Sequence, residues 1–454
     1  MASASEQLAA NMNLGVFAKA KELQNRLLFT LGILIIYRLG TFVPIPGMDM
    51  AAFQTAFSAG GGGLLTRLNM FAGGAVERMA IFALNVMPYI SASIIMTLMK
   101  GSIPSLKELD KDGEQGRKQI NQYTRYLTVF LAAFQAFGIA RALQGTPGAV
   151  INPGLFFQAS TVITLVGGTM FLMWMGEQVT ARGVGNGVSL IIFAGIVAEL
   201  PKAIFQAFEL NQQGTVSELL LLFLIVLFIG LSMLIVYVER AQRRLLVQYP
   251  KRQMAGGKTF GGESSFMPLK LNTAGVIPPI FASSLLLLPA TLGPIMMNNN
   301  TEEGTGIVGT ILAFISYGSP LYLTLYGILI IFFCYFYVPY VFKPDDVADN
   351  LRKNGGFLPG IRPGKRTAEY LSYVLSRLTF IGAVYVAFVC VLPELIIARQ
   401  GGAIPPSVAM LIGGMSLLII VSVTLDTVAQ IQSHLVAHQY EGLIKKSRMR
   451  RRNR

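Results

Sequence analysis

Ten apolar segments, near residues 24–43, 77–99, 122–144, 155–177, 184–205, 217–239, 273–292, 317–342, 371–397 and 405–430, divide the chain, and basic residues crowd into alternate gaps between them. A bilayer core of about 30 Å needs roughly 20 apolar residues at the helical rise, so each segment is a candidate span. With the N-terminus inside, all but six of the 37 Lys and Arg fall in the N-terminus, the loops after spans two, four, six and eight, and the C-terminal tail. The six outside are Arg38, Arg67, Arg78, Arg141, Lys202 and Arg399. Positive charge gathers on the cytoplasmic side of membrane proteins, and one span more or fewer before the tail would scramble the alternation. A content of 53% hydrophobic and 13% charged residues excludes a soluble multidomain chain. The expectation is an all-α, multi-pass membrane protein with ten spans and both termini cytoplasmic. No cleavable signal peptide is expected, and residues 1–23 should lie along the cytoplasmic interface.

Residues 60–99 fit this scheme least well. A lead-in, GGGGLLTRLNMFAGGAVER, runs into MAIFALNVMPYISASIIMTLM, and the pattern predicts a membrane-length helix over Met79 to Met99. The lead-in is too polar to span and too apolar for an ordinary loop. Such backbone survives at membrane depth only inside protein or against a water-filled cavity, which makes a pore or cavity the first functional hypothesis.

Five spans on each side of residue 210 is an odd number, so two related halves would insert with opposite orientation, as in inverted-repeat transporters. Ten unrelated helices is the competing reading. The organisation expected is an interfacial segment at 1–23, a first half at 24–210, a second half at 211–430 with long cytosolic loops at 240–272 and 343–370, and a basic tail at 431–454. In the second span Asn85, Tyr89, Ser93 and Thr97 recur every four residues, predicting one polar helical stripe around an internal Pro88. Interhelical packing and a seam that opens are both compatible with it. Pro278 and Pro279 are expected to break the seventh span.

The net charge of +14 is therefore concentrated on one face. Anionic lipid is one partner for it. The two long loops exceed ordinary helix–helix connections and carry paired basics at Arg243 and Arg244, Lys251 and Arg252, and Lys365 and Arg366, which favours a docking surface for a large cytosolic partner.

Other chemistry is poorly supported. GVGNG at 183–187 lacks a preceding strand and reads as close helix packing, and AGGKT at 255–259 has Arg252 where a phosphate loop needs glycine. Cys334 and Cys390 read as buried thiols. His434 and His438, four apart on an expected helix end, have no further ligand. No metal or cofactor is expected. Glu77, Arg78, Glu177, Glu199, Glu239, Glu394 and Asp426 are placed toward helix ends, which argues against a proton relay. A secondary small-solute transporter is the alternative function. A membrane-embedded enzyme lacks any nucleophile–base set.

Several long stretches carry a family resemblance: RLGTFVPIPG at 38–47, NMFAGGAVERMAIFALNVMPYISASI at 69–94, WMGEQVTARGVGNGVSLIIFAGIVA at 174–198, PLKLNTAGVIPPIFASS at 268–284 and ADNLRKNGGFLPGIRPGKRTAEYL at 348–371. The chain resembles the bacterial SecY family over essentially its whole length. The resemblance implies a protein-conducting channel of the inner membrane, not an enzyme, with ten helices in two pseudo-symmetric inverted five-helix halves around a central pore. Implied partners are SecE, SecG, the SecA ATPase, the ribosome with its nascent chain, secretory precursors with their signal sequences, and accessory translocon proteins.

The same resemblance assigns residues to roles. A pore ring of aliphatic side chains falls on Val86, Ile90, Ile192, Ile280 and Ile419. The plug, a displaceable segment at 64–75, contains Leu64, Leu65, Leu68, Met70, Phe71, Gly73 and Gly74. Asn85, Tyr89, Ser93 and Thr97, with Asn272 and Thr273, would line a lateral gate. Asn85 and Thr97 stand where relatives often have Gly and Gln, which bears on gate polarity. Arg362 in GIRPG joins Arg243, Arg244, Lys251, Arg252, Lys365 and Arg366 in partner docking. The tail KKSRMRRRNR is more basic than the family pattern leads one to expect.

Overall fold

A computed structural model describes residues 20–59, 69, 72–145, 148–214, 217–249, 252–253, 259–260, 264–296, 319–399 and 413–452. In chain order its helices are α1 (Lys21–Gly40), α2 (Met50–Ala59), α3 (Met87–Ser102), α4 (Pro104–Lys111), α5 (Glu114–Gln144), α6 (Leu155–Arg182), α7 (Gly187–Gln212), α8 (Glu218–Arg240), α9 (Ile277–Met296), α10 (Pro320–Val341), α11 (Pro344–Lys353), α12 (Lys365–Arg399) and α13 (Gly414–Arg452). Four short strands, β1 (Gln242–Gln248), β2 (Arg252–Gln253), β3 (Thr259–Phe260) and β4 (Ser264–Lys270), lie between α8 and α9.

Among the described residues, seven stretches long and apolar enough to cross a membrane fall on α5, α6, α7, α8, α10, α12 and α13. The other three expected spans are met by α1, α3 and α9. In Glu218–Arg240 only 17% of the apolar window is buried. Leu222, Val226, Ile229 and Met233 are exposed along it. Such a surface is unfavourable in water and suits hydrocarbon. The chain forms two compact units, one of Met1–Gln206, Pro289–Gly304 and Ile419–Arg454, the other of Ala207–Leu288 and Thr305–Leu418.

The expected helix over Met79 to Met99 is shorter than its sequence suggests. Residues 72–86 are turns and the helix starts at Met87. The backbone there is taken by the RLGTFVPIPG stretch: Ile45 N donates to Met79 O and Ile81 N to Val43 O, both at 2.9 Å, around a bridge from Pro44 to Ala80. Met79 and Asn85 have positive φ, 36° and 50°, a region that breaks a right-handed helix and that Asn tolerates better than most residues. Asn85 therefore does not belong to a helical stripe, although Tyr89, Ser93 and Thr97 do. Pro88 begins α3 instead of interrupting it, because a first-turn N–H has no helical partner to lose. Pro278 and Pro279 likewise occupy the first turn of α9, so neither breaks a span.

Two further expectations change. Glu199 lies midway along α7, not at its end. His434 lies inside α13, which continues through the basic tail to Arg452, so no helix end presents the histidine pair. Among the described residues no group of His, Cys, Asp and Glu could hold a metal ion.

The glycines at 183–187 serve packing, as the sequence suggests. A Cβ on Gly187 would collide with the Gly176 carbonyl oxygen of α6. Asn186 caps α7, its Oδ1 accepting from Val188 N at 3.1 Å and Ser189 N at 3.4 Å.

Candidate functional site

Four groups of residues were expected to carry function: the plug, the pore ring, the lateral gate and the docking loops. The lead-in and most of the ring lie in the first unit, and both long loops lie in the second.

Leu64, Leu65, Leu68, Met70 and Phe71 fall outside the described residues. In the trailing part of the lead-in, residues 72–76 are buried. Gly73 and Gly74 have φ of 63° and 79°, readily adopted only by glycine. A Cβ on Gly73 would stand 3.0 Å from Gly195 Cα of α7 and 3.3 Å from the Tyr37 hydroxyl of α1, so the two helices close directly on backbone.

Charges surround this contact. Arg38 Nη1 donates to Gly73 O at 2.6 Å, and its Nη2 lies 3.8 Å from Glu199 Oε1. Arg78 Nη2 reaches the same oxygen at 3.3 Å. Both guanidinium groups rest on the Phe42 ring, at 4.9 Å and 4.2 Å from its centroid. Lys202 Nζ donates to the two Glu77 carboxylate oxygens at 3.1 and 2.9 Å. Asn69 Oδ1 accepts from Glu77 N at 2.8 Å and its Nδ2 donates to Glu77 Oε2 at 3.2 Å. Asn69 and Glu77 lie in the motif at 69–94, but no role was expected of them or of Glu199. One signal was available: Arg38, Arg78 and Lys202 are three of the six basic residues that break the charge alternation.

Of the ring candidates, Val86, Ile90, Ile192 and Ile419 are buried, at 0%, 8%, 3% and 1% exposure. Val86 caps α3, and Ile90 N donates to its carbonyl at 3.1 Å. Ile192 lies in the first turns of α7. Ile280, in the second unit, is partly exposed in the first turn of α9.

The gate candidates divide the same way. Tyr89, Ser93 and Thr97 are half-buried on one face of α3, with Thr97 Oγ1 donating to Ser93 O at 2.7 Å. Asn272 is 3% exposed and bonded within its own unit. Its Nδ2 donates to Glu239 Oε1 at 2.7 Å and to Gly275 O at 3.2 Å. Thr273 Oγ1 donates to Lys270 O at 3.0 Å.

The two basic loops form one folded body. β1 and β4 pair antiparallel from Gln242↔Lys270 to Gln248↔Ser264. Gln248 and Phe357 exchange both backbone bonds, at 2.9 and 3.0 Å, joining the hairpin to the second loop. Leu245, Val247 and Leu269 of the hairpin, Leu358 of the second loop and Leu371, Val374 and Leu378 of α12 share one core. Alternation puts Leu245 and Val247 inward, while Arg243, Arg244, Arg362, Lys365 and Arg366 are exposed. The GIRPG turn is fixed by Gly360 and Gly364, with φ of 80° and 102°, and by Thr367 Oγ1 donating to Arg362 O at 2.9 Å. Lys251 falls outside the described residues, and Arg252 is described only as backbone of β2. An exposed cationic surface of this kind suits an anionic or acidic partner.

Comparison with known proteins places this geometry. Residues 80–428 match the SecY family model. The chain is 48% identical over 433 residues to the protein translocase subunit SecY of Rickettsia conorii, covering 94% of this chain and 97% of that one. It is 48% identical over 432 residues to the subunit of the same name from Escherichia coli K12, covering 94% and 95%. Among solved structures, a protein-conducting channel aligns with TM-score 0.65 at 17% identity over 91% of this chain and 93% of that chain. Sec61 in a canine ribosome–channel complex aligns with TM-score 0.62 at 18% identity over the same shares. These solved structures share the fold, and the curated relatives and the family model settle membership: the chain belongs to the SecY family.

Proposed function

We propose that this chain forms the protein-conducting channel of the general secretory pathway in the bacterial inner membrane, with both termini cytoplasmic. The observation that carries the reading is a buried, non-helical stretch at 72–86 that feeds α3 from a glycine pair held against α1 and α7. It occurs in a chain whose close relatives are translocase subunits. Irregular backbone at membrane depth survives only inside protein or beside a water-filled cavity, and in a protein-conducting channel both settings occur together.

In this reading residues 64–75 are the plug, and two inverted five-helix halves flank the pore. Val86, Ile90, Ile192, Ile280 and Ile419 form an aliphatic constriction. A narrow apolar ring blocks ions by dewetting, and branched alkyl side chains offer no strong ligand to a passing polypeptide. Tyr89, Ser93 and Thr97, with Asn85, Asn272 and Thr273, border the lateral gate. A segment exposed there partitions between water and hydrocarbon: a central Leu contributes about −0.5 kcal/mol and a charge about +3 kcal/mol. The chain performs no bond chemistry, and SecA or the ribosome, docking on the cationic platform of Arg243, Arg244, Arg362, Lys365 and Arg366 together with Lys251 and Arg252 of the same loop sequence, drives the substrate. SecE and SecG complete the complex.

Reconstitution with SecE, SecG, SecA, ATP and a secretory precursor tests this. ATP-dependent protease protection of the precursor is expected, and its absence from a correctly assembled complex would reject the proposal.

A further inference from the structure

Three basic residues that break the positive-inside alternation, Arg38, Arg78 and Lys202, converge on two carboxylates around the trailing end of the lead-in. Ionisable groups in a spanning region are expensive unless they are paired. Glu199 stands between two guanidinium groups that share the face of Phe42, one from α1 and one from the lead-in. Without that carboxylate the two cations would repel across the contact that seats Gly73. The second carboxylate, Glu77, belongs to the lead-in itself. It takes Lys202 of α7 on one side and Asn69 on the other, so the pairing reaches both flanks of the glycine pair.

We propose that Glu199 and Glu77 are positioning residues of an ionic latch, which holds Asn69 and residues 72–80 against α1 and α7 and must open before the lead-in can leave. The proposal rests on the plug reading of 64–75. The side chains of the latch remain 17–47% exposed, so water can replace each partner as the pairs part. Exposed and half-exposed pairs are weak and screened by salt. The design is accordingly reversible: alkyl packing fills the seat, and the charges fix its register and allow release. High ionic strength should loosen the latch.

The test uses the full complex in planar bilayers without substrate. Glu199→Gln is expected to raise resting ion conductance about threefold, the scale of one partly exposed ion pair. Lys202→Glu, which sets two carboxylates against each other, should raise it as well, and the swap Glu77→Lys with Lys202→Glu should lower it again. Conductance of the wild-type complex should rise with salt more steeply than that of Glu199→Gln. A tether made from Asn69→Cys and Lys202→Cys with a short bis-maleimide should block protein transport until the cross-link is omitted.

Wild-type conductance in both Glu199→Gln and Lys202→Glu, with transport still blocked by the tether, would overturn the latch and keep the plug reading. Normal transport through the tethered complex would overturn both. If Glu199→Gln does not assemble, Lys202→Glu and the swap decide the question.

Discussion

The amide of Asn272 donates to Glu239 Oε1 at 2.7 Å, and the residue also accepts from Gly275 N at 3.1 Å. One buried side chain thus ties the end of α8 to the turn that starts α9. Asn272, a gate candidate, thereby also fastens the start of the helix that carries Ile280. Asn272→Leu is expected to remove the 2.7 Å bond to Glu239 and both bonds to Gly275, and to destabilise the purified complex by about 1–3 kcal/mol. Thermal unfolding in detergent checks this, and an unchanged midpoint would reject the fastening role.

The aliphatic ring makes a separate prediction. Replacing Ile192 and Ile280 together with Ser removes two branched side chains and introduces hydroxyls that water can wet. Resting ion conductance in a planar bilayer should rise, while SecA-driven export should persist. A leak equal to wild type would remove the hydrophobic-seal account.

On the platform, Arg362→Glu reverses an exposed charge on a turn whose backbone is fixed by Gly360, Gly364 and Thr367. Folding should be untouched and SecA-dependent transport should fall severalfold. Immunoblotting for assembled complex alongside a precursor-protection assay separates the two. Normal transport would exclude Arg362 from docking.

The shared core beneath that turn can be tested independently. Leu371 is fully buried among Leu245, Val247, Leu358 and Val374. Leu371→Ala should cost about 2–5 kcal/mol locally and speed tryptic cleavage at Arg243 and Arg244. Unchanged cleavage would mean that the hairpin is held by something other than this core.

Gly187 offers a steric case. Gly187→Ala puts a methyl on the Gly176 carbonyl oxygen, and separation of α6 from α7 should cost about 1–3 kcal/mol. Reduced melting temperature of the complex is the expected reading, whereas Gly167→Ala, which meets nothing within 4 Å, should behave as wild type.

Span number was legible in the sequence because it is set by a local quantity, the length of an apolar run. Ten apolar segments correspond to ten helices, and the glycines at 183–187 were rightly assigned to packing. Where sequence reasoning failed, long-range backbone pairing had replaced local propensity. Met79 to Val86 carry the composition of a helix, yet residues 79–81 pair with 43–45 and Asn85 turns through positive φ. Nothing in residues 79–86 names that partner.

The same limit applies to function. Composition, charge alternation and long motifs pointed to a multi-pass chain of the SecY family, and the resemblance proposed its aliphatic ring and plug residues. Only the tertiary structure brought Arg38, Glu77, Arg78, Glu199 and Lys202 together and joined two loops about a hundred residues apart through Gln248 and Phe357. An unpaired charge or backbone group in an apolar setting is costly, so each must find a partner wherever the fold supplies one, and the distance along the chain does not predict which.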